Sequence, residues 1–309
     1  MIASMKRTLR EFSPSLFQSL KTNLRASAER LQLAYPRLAD VGARCVHVGS
    51  GRAFKEDFYD LWTGQRDELT PPLRHLFDGT TSYEEFHRLG AELLRLLTAG
   101  GLQTDQRVLE VGSGNGKNAR ALAGFLRAPG GYEGFDVVPA GVAWCQQQIT
   151  PRRPHCRFQH ANIYNRTYNP AGRESAVNYR FPYDAAAFDL VFLTSVFTHI
   201  TPAGLANYVA QIARVLRPGG KCFASFFLLT PESIAGMPTA EPGRTFPHEY
   251  EISACRVADL EWPEDAVAYE QQYVCECFAR HGLQLETLHP GCWWRGPANA
   301  QDLLWFVKE

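Results

Sequence analysis

Val108-Leu109-Glu110-Val111-Gly112-Ser113-Gly114-Asn115-Gly116 is the stretch that decides the fold. A short apolar run ends in a turn carrying three glycines, and a stretch of helical period follows over Asn118–Leu126. Glycines are needed where a backbone turns sharply or lies against a ligand. A helix that begins just beyond such a turn directs free N–H groups and its positive dipole end at that ligand. Asp136 closes the next strand candidate, Tyr132–Phe135. In a doubly wound sheet this sets its carboxylate beside the glycine loop, where it accepts hydrogen bonds from ribose hydroxyls. The spacing also excludes two ligands. A nicotinamide-type loop, G-x-G-x-x-G, needs its third glycine where Lys117 stands, and a phosphate loop needs Ser or Thr where Asn118 stands.

Outward from this loop, short apolar runs alternate with longer stretches of 3.6 period. Strands are predicted at Val108–Val111, Tyr132–Phe135, Arg157–Gln159, Leu190–Leu193, Cys222–Leu228, Gln284–Leu288 and Leu303–Val307. Helices are predicted at Asn118–Leu126, Ala140–Ile149, Ala203–Leu216 and Glu264–His281. Such alternation argues for an α/β fold, a doubly wound and mostly parallel sheet with helices on both faces. Two polar or proline-rich stretches, near 164–187 and 230–262, read as inserted loops. Upstream, Ser82-Tyr83-Glu84-Glu85 is a capping box that opens a helix with Phe86, Leu89, Leu93, Leu96 and Leu97 along one face, ended by Gly100-Gly101.

Residues 1–82 read as an N-terminal extension and 83–309 as the main domain. Over residues 1–45 a basic leader places Leu9, Phe12, Leu16, Phe17, Leu20 and Leu24 at helical spacing. Such a helix packs on its own domain, on a second subunit of a homo-oligomer, or on a membrane surface. Val46-His47-Val48-Gly49-Ser50-Gly51 imitates the main loop, but His47 stands in place of the acid and no long helical stretch follows. It reads as a turn in a loop-rich connector anchored by Tyr59 and Trp62.

Composition narrows the partners. Lys plus Arg and Asp plus Glu both number 32, so a broad basic face for nucleic acid is not expected. No apolar run approaches the roughly 20 residues of a membrane span. The start shows no secretory signal, and the eight cysteines read as reduced thiols of a cytoplasmic protein. Cys275-Glu276-Cys277 lacks zinc spacing, so no metal is expected.

The acid two residues ahead of a G-x-G-x-G loop resembles the first motif of class I S-adenosylmethionine-dependent methyltransferases. Phe188-Asp189-Leu190-Val191-Phe192-Leu193 resembles that family's fourth strand, and Arg214-Val215-Leu216-Arg217-Pro218-Gly219-Gly220-Lys221 its approach to the fifth. The last two strand candidates fit its closing antiparallel hairpin, which implies seven strands with the last antiparallel. The resemblance covers about residues 83–309 and implies S-adenosylmethionine as cofactor and S-adenosylhomocysteine as product. Carried over, Glu110 holds the methionine amino group, and Gly112, Ser113, Gly114, Asn115 and Gly116 form the loop around the amino-acid moiety. Asp136 takes the ribose and Val137 flanks the adenine. Many relatives follow the third strand with an acid that binds the adenine amine. Here Ala161-Asn162-Ile163 stands there, so the Asn162 amide oxygen would take that role and Ile163 would cover the ring.

Thr194-Ser195-Val196-Phe197-Thr198-His199 follows the fourth strand, where ligands of such sheets sit. Thr194 would border the cofactor, and His199 is the candidate general base for an alcohol that loses its proton as it attacks the methyl. Proximity alone can also drive such a transfer, with His199 as a shaping residue. The expected acceptor is a small molecule, with a hydroxyl on a metabolite or glycan favoured over nucleic acid or peptide. Tyr164, Tyr179, Phe181, Tyr183, His248, Tyr250 and Trp293-Trp294-Arg295 are the candidates to roof it, the last three fitting equally a buried aromatic cluster under the closing hairpin. A catalytically silent binding module of the same fold is the rival reading, against which the intact Glu110, glycine loop and Asp136 stand.

Overall fold

The computed structural model of the chain describes residues 66–77, 79–237, 244–295 and 300–309. The basic leader, the His47 turn, Tyr59 and Trp62 lie outside these residues. The described part begins with a connector that leads to helix α1, Tyr83–Ala99. The capping box takes a shifted form. The Ser82 hydroxyl accepts from the Glu85 N–H at 3.1 Å, while the Glu85 carboxylate accepts from the N–H of Thr81 at 2.9 Å.

From there the chain runs β1 (Arg107–Val111), α2 (Lys117–Phe125), β2 (Gly131–Asp136), α3 (Pro139–Gln148), β3 (Cys156–His160), β4 (Phe188–Leu193), α4 (Pro202–Val215) and β5 (Leu216–Phe226). It continues through β6 (Leu228–Leu229), α5 (Pro231–Gly236), β7 (His248–Tyr250), β8 (Ile252–Val257), β9 (Val267–Glu270), α6 (Gln271–Ala279), β10 (Leu283–His289) and β11 (Asp302–Lys308). Seven of these strands form one sheet in the order β10-β11-β5-β4-β1-β2-β3. β1 pairs in parallel with β2 and β4, β2 with β3, and β4 with β5, whereas β11 runs antiparallel to both β5 and β10. The doubly wound sheet with an antiparallel last strand is therefore present. Chain direction across the sheet reverses between β1 and β4, and a crevice opens there beyond their carboxyl ends, as expected at a topological switch point.

The core explains why these runs form strands. Val108, Leu109 and Val111 of β1 and Leu190, Val191, Phe192 and Leu193 of β4 are all buried, as both faces of a parallel strand must be. The third loop glycine belongs to this packing. A Cβ on Gly116, which sits at φ +85°, would come within 2.6 Å of the Ile149 side chain and 2.9 Å of the Cys145 sulfur. Among the described residues the cysteines are free thiols, and no helix is long and apolar enough to cross a membrane.

Two expectations fail in one region. The predicted helix Glu264–His281 is in fact strand β9 followed by the shorter helix α6. The expected loop at 230–262 contributes α5, β7 and β8, and a second, four-stranded sheet runs β6-β9-β8-β7. Behind this sheet Phe227, Leu229, Phe246, Ala268, Trp293 and Trp294 form a separate apolar cluster. Asp302, at the start of β11, ties it to the main sheet. Its carboxylate accepts from the N–H groups of Leu228 and Gly291 at 2.8 Å and from the Trp293 indole at 3.1 Å. The stretch 164–187 is a loop, as expected, secured by an isolated bridge between Ile163 and Glu174.

Candidate active site

A cavity of about 480 Å³ occupies the crevice at the switch point. Glu110, Gly112, Ser113 and Gly114 from the glycine loop, Asp136 and Val137 from the end of β2, Ile163 after β3, and Thr194 and His199 after β4 all line it. These residues lie far apart in sequence, and the parallel order of β1, β2, β3 and β4 delivers their carboxyl-end loops to one place.

Glu110 is 1% exposed and carries two short hydrogen bonds. The Tyr132 hydroxyl donates to one carboxylate oxygen at 2.5 Å and the Asn118 amide donates to the other at 2.6 Å. Burial pushes its carboxyl up to about 7, a rise that these two donors only partly oppose. A buried acid of this kind is poised to receive a cation. Asp136 accepts from the N–H of Val138 at 2.7 Å on one oxygen and from the N–H of Gly114 at 2.7 Å on the other. Burial raises its carboxyl as well, against the pull of those backbone donors.

The loop leaves room for a ligand where it counts. Gly114 is left-handed at φ +54°, and a Cβ there would meet nothing within 4 Å. Gly112, at φ +81°, admits no side chain, since a Cβ would lie 2.5 Å from the Val196 methyl. The hydroxyl of Ser113 is buried and has no hydrogen-bond partner, and neither has that of Thr198. Both residues line the cavity. A buried hydroxyl left unpaired costs about 1–3 kcal/mol, so two of them among the residues lining one cavity point to a ligand that pairs them.

At the other end His199 closes a short 3-10 turn, Phe197–His199. Its Nδ1 lies 3.0 Å from the main-chain carbonyl oxygen of Glu264. A carbonyl oxygen only accepts, so Nδ1 carries the proton and the neutral ring keeps its lone pair on Nε2. Tyr168 packs edge-on against the ring at 6.1 Å. Next to it, Ser195 adopts φ +55°, strained for a residue with a side chain, and is held there on both sides. Its N–H donates to the Ser225 hydroxyl at 2.8 Å, and its own hydroxyl accepts from the Gln301 amide at 3.0 Å.

Three expected cofactor residues do not line the cavity. Asn115 is fully buried and donates to the carbonyl oxygen of His75 at 2.9 Å, which fastens the connector over the loop. Gly116 serves the packing already described. Asn162 uses its backbone carbonyl to accept from the N–H groups of Arg173 and Glu174 at 2.9 Å, as part of the 164–187 loop. Of the roof candidates only Tyr164 reaches the cavity. Tyr179 and Phe181 pack on Phe135, Tyr183 packs on Phe188, Trp293 and Trp294 belong to the cluster behind the second sheet, and His248, Tyr250 and Arg295 lie outside the lining. The second sheet supplies the wall instead. The turn Pro263–Asp265 between β8 and β9 brings Glu264 and Asp265 to the cavity opposite Tyr168, and Phe77, Lys117, Asn118 and Gln301 complete it. Residue pattern alone marked none of these except Lys117 and Asn118, which stood out only as departures from a nicotinamide-type loop and a phosphate loop.

Residues 108–220 match the family described as a methyltransferase domain. This stretch is therefore a methyltransferase domain, in keeping with the class I S-adenosylmethionine-dependent motifs that it carries. The chain is 31% identical over 183 residues to 27-O-demethylrifamycin SV methyltransferase of Amycolatopsis mediterranei, covering 58% of this chain and 60% of that one. It is 30% identical over 149 residues to a fatty-acid O-methyltransferase of Mycolicibacterium smegmatis, covering 48% and 44%. The chain thus spans well under two thirds of the length of both relatives. A solved protein from Pyrococcus horikoshii shares the fold with a TM-score of 0.50 at 17% identity, over 74% of this chain and 92% of that one.

The cofactor of this methyltransferase family, S-adenosylmethionine, fits the cavity by its chemistry. Its ammonium and sulfonium are cations, and among the described residues no basic side chain is bonded to the buried acid Glu110. Its ribose offers two hydroxyl donors, and Asp136 faces the cavity as an acceptor. Truncating Asp136 to alanine is expected to weaken cofactor affinity by about 1.5–3 kcal/mol, the worth of hydrogen bonds to a charged group. Titration calorimetry with S-adenosylhomocysteine on Asp136→Ala and parent measures this, and equal affinities would place the nucleoside elsewhere.

Proposed function

We propose that the protein transfers a methyl group from S-adenosylmethionine to a hydroxyl of a small molecule bound between His199 and the second sheet. The observation that carries this reading is one cavity lined both by a buried acid, Glu110, and by a histidine, His199, whose Nδ1 is taken by the Glu264 carbonyl. S-adenosylmethionine, when bound, supplies an electrophilic sulfonium methyl.

The chain's own residues do the rest. Glu110 holds the ammonium, Asp136 holds the ribose hydroxyls, and Ser113 pairs its lone hydroxyl with the bound nucleoside or amino acid. Val137 and Ile163 supply apolar walls for the adenine. His199 accepts the acceptor's hydroxyl proton on Nε2, while the Glu264 carbonyl keeps the ring oriented and Tyr168 packs its edge. Glu264, Asp265, Tyr164 and Gln301 shape the acceptor end, which is polar. Alignment of nucleophile and methyl contributes the larger share of the rate, and the base removes the proton that alkylation would otherwise leave on oxygen. Both matched relatives carry methyltransferase names, one of them an O-methyltransferase acting on fatty acids by its name, which supports oxygen as the nucleophile.

The test is transfer of radiolabelled methyl from S-adenosylmethionine to a panel of small alcohols, phenols, carboxylic acids and amines. Label moving to hydroxyl compounds, in a reaction inhibited by S-adenosylhomocysteine, supports the reading. Label moving to amines alone would overturn the assignment of oxygen.

A further inference from the structure

β2 places Tyr132 and Gly134 on the same face, and their register partners on β1 are Val108 and Glu110. The Tyr132 ring can reach Glu110 because Gly134 has no side chain. A Cβ on Gly134 would stand 2.6 Å from the Tyr132 hydroxyl and 2.8 Å from the Ser113 Cβ. The Tyr132 hydroxyl then donates to one Glu110 oxygen, and Asn118, in the first turn of α2, donates to the other. Both donors are buried and neutral. No lysine or arginine forms an ion pair with Glu110 among the described residues.

We propose that Tyr132 and Asn118 are positioning residues that set the charge of Glu110, so that cofactor binding expels a proton from this carboxyl to solvent. The proposal rests on the reading that the cavity takes S-adenosylmethionine through its ammonium.

The groups around Glu110 can be named element by element. β2 brings the Tyr132 phenol and the like charge of Asp136, and α2 brings the Lys117 ammonium and the neutral Asn118 amide. α3 brings the Cys145 thiol, itself held protonated by burial. From β4 the register partner is the apolar Phe192. Lys117 favours the ionised carboxyl, Asp136 opposes it, and desolvation outweighs both. The empty site therefore holds this acid partly protonated near neutral pH. A ligand ammonium stabilises only the ionised form, so binding at lower pH must release the proton. Removing the Tyr132 hydroxyl takes away a donor that favours the ionised form and moves the transition to higher pH.

Titration calorimetry with S-adenosylhomocysteine, in paired buffers of different ionisation heat between pH 5.5 and 7.5, counts the released proton. In the parent, release approaches one at the acid end and declines as pH rises, and affinity falls about tenfold per pH unit on the acid side. Tyr132→Phe moves both curves up by about one pH unit, since a hydrogen bond to a charged group is worth that much. Asn118→Ala moves them in the same direction and carries the test if Tyr132→Phe does not fold. Glu110→Gln, titrated at ligand concentrations high enough to offset its weaker affinity, loses the proton release and the pH dependence that belong to this carboxyl. Unshifted curves in variants that bind would make both residues merely structural and overturn the proposal. So would parent protein that binds without releasing a proton. Parent protein that fails to bind S-adenosylhomocysteine at all would overturn the cofactor reading itself, a distinct outcome.

Discussion

Replacing His199 with glutamine is expected to lower turnover by about 10²–10⁴, the usual contribution of a positioned general base. Glutamine keeps an amide donor for the Glu264 carbonyl, so the turn that carries residue 199 should stand. What it lacks is a basic lone pair for the acceptor's proton. S-adenosylhomocysteine affinity should stay within about twofold, because the residues proposed to hold its ammonium, ribose and adenine belong to β1, β2, β3 and their loops. The pH dependence separates a base from a residue that only shapes the pocket. Protonated imidazole cannot accept a proton, so the parent's rate should fall on the acid side when chemistry limits turnover. That limb should vanish in the variant. Burial also raises the Glu264 carboxyl, which lines the same cavity, so Glu264→Gln is the control. An acid limb with the same midpoint in parent and His199→Gln would remove His199 as the base.

The centre of the main sheet was legible from sequence because β1 and β4 are buried on both faces and read as short continuous apolar runs, whereas the edge strands β3 and β10 are more exposed and more polar. The glycine loop was legible for a different reason. Its conformations at Gly112, Gly114 and Gly116 all lie at positive φ, and such positions leave a mark in residue type. The second sheet left no such mark. β6 has two residues and β9 four, and β9 pairs on one side with β6, a partner distant in sequence. Val267-Ala268-Tyr269 runs straight into the helical period of α6, so one apolar stretch spans two elements. The proline-rich approach to β7 and β8 looked like loop because its strands are short and only partly buried.

The site divides in the same way. Glu110 and Asp136 were found because strand ends fix them beside the loop. Asn115 and Gly116 sit in the same motif, yet their side of the loop faces the connector and α3, and spacing carries no information on which side a residue faces. Trp293 and Trp294 fit either a lid or a buried cluster under the closing hairpin, and spacing between strands does not decide between them. Here Asp302 takes the Trp293 indole and Phe246 packs at 5.4 Å from its ring, so the pair is core. Tyr132 could not be marked at all. It reads as one more buried strand residue, and its role depends on the missing side chain at Gly134.

Glu110→Gln is expected to make the ligand-free protein more stable above neutral pH while removing most cofactor binding. The folded carboxyl lies at about 7 and the unfolded one near the ordinary 4.5, so the folded state holds its proton more tightly. The stability this gives is fully present below about pH 4.5 and is lost as pH rises through about 7. At pH 8 the parent therefore carries a penalty of about 3 kcal/mol for keeping an ionised carboxylate buried. Glutamine cannot ionise. Its oxygen can accept from Asn118 and its amide can donate to the Tyr132 oxygen, so both hydrogen bonds survive in altered sense. Parent and variant should melt at similar temperatures near pH 4.5, and the variant should melt about 5–10 °C higher at pH 8. Adding S-adenosylhomocysteine should reverse the ranking at pH 8, because the ligand ammonium compensates the buried charge in the parent and finds no charge in the variant. Thermal melts at the two pH values, with and without ligand, give all four comparisons. A variant less stable than the parent at pH 8 would mean that Glu110 is already compensated without ligand and is held for the fold.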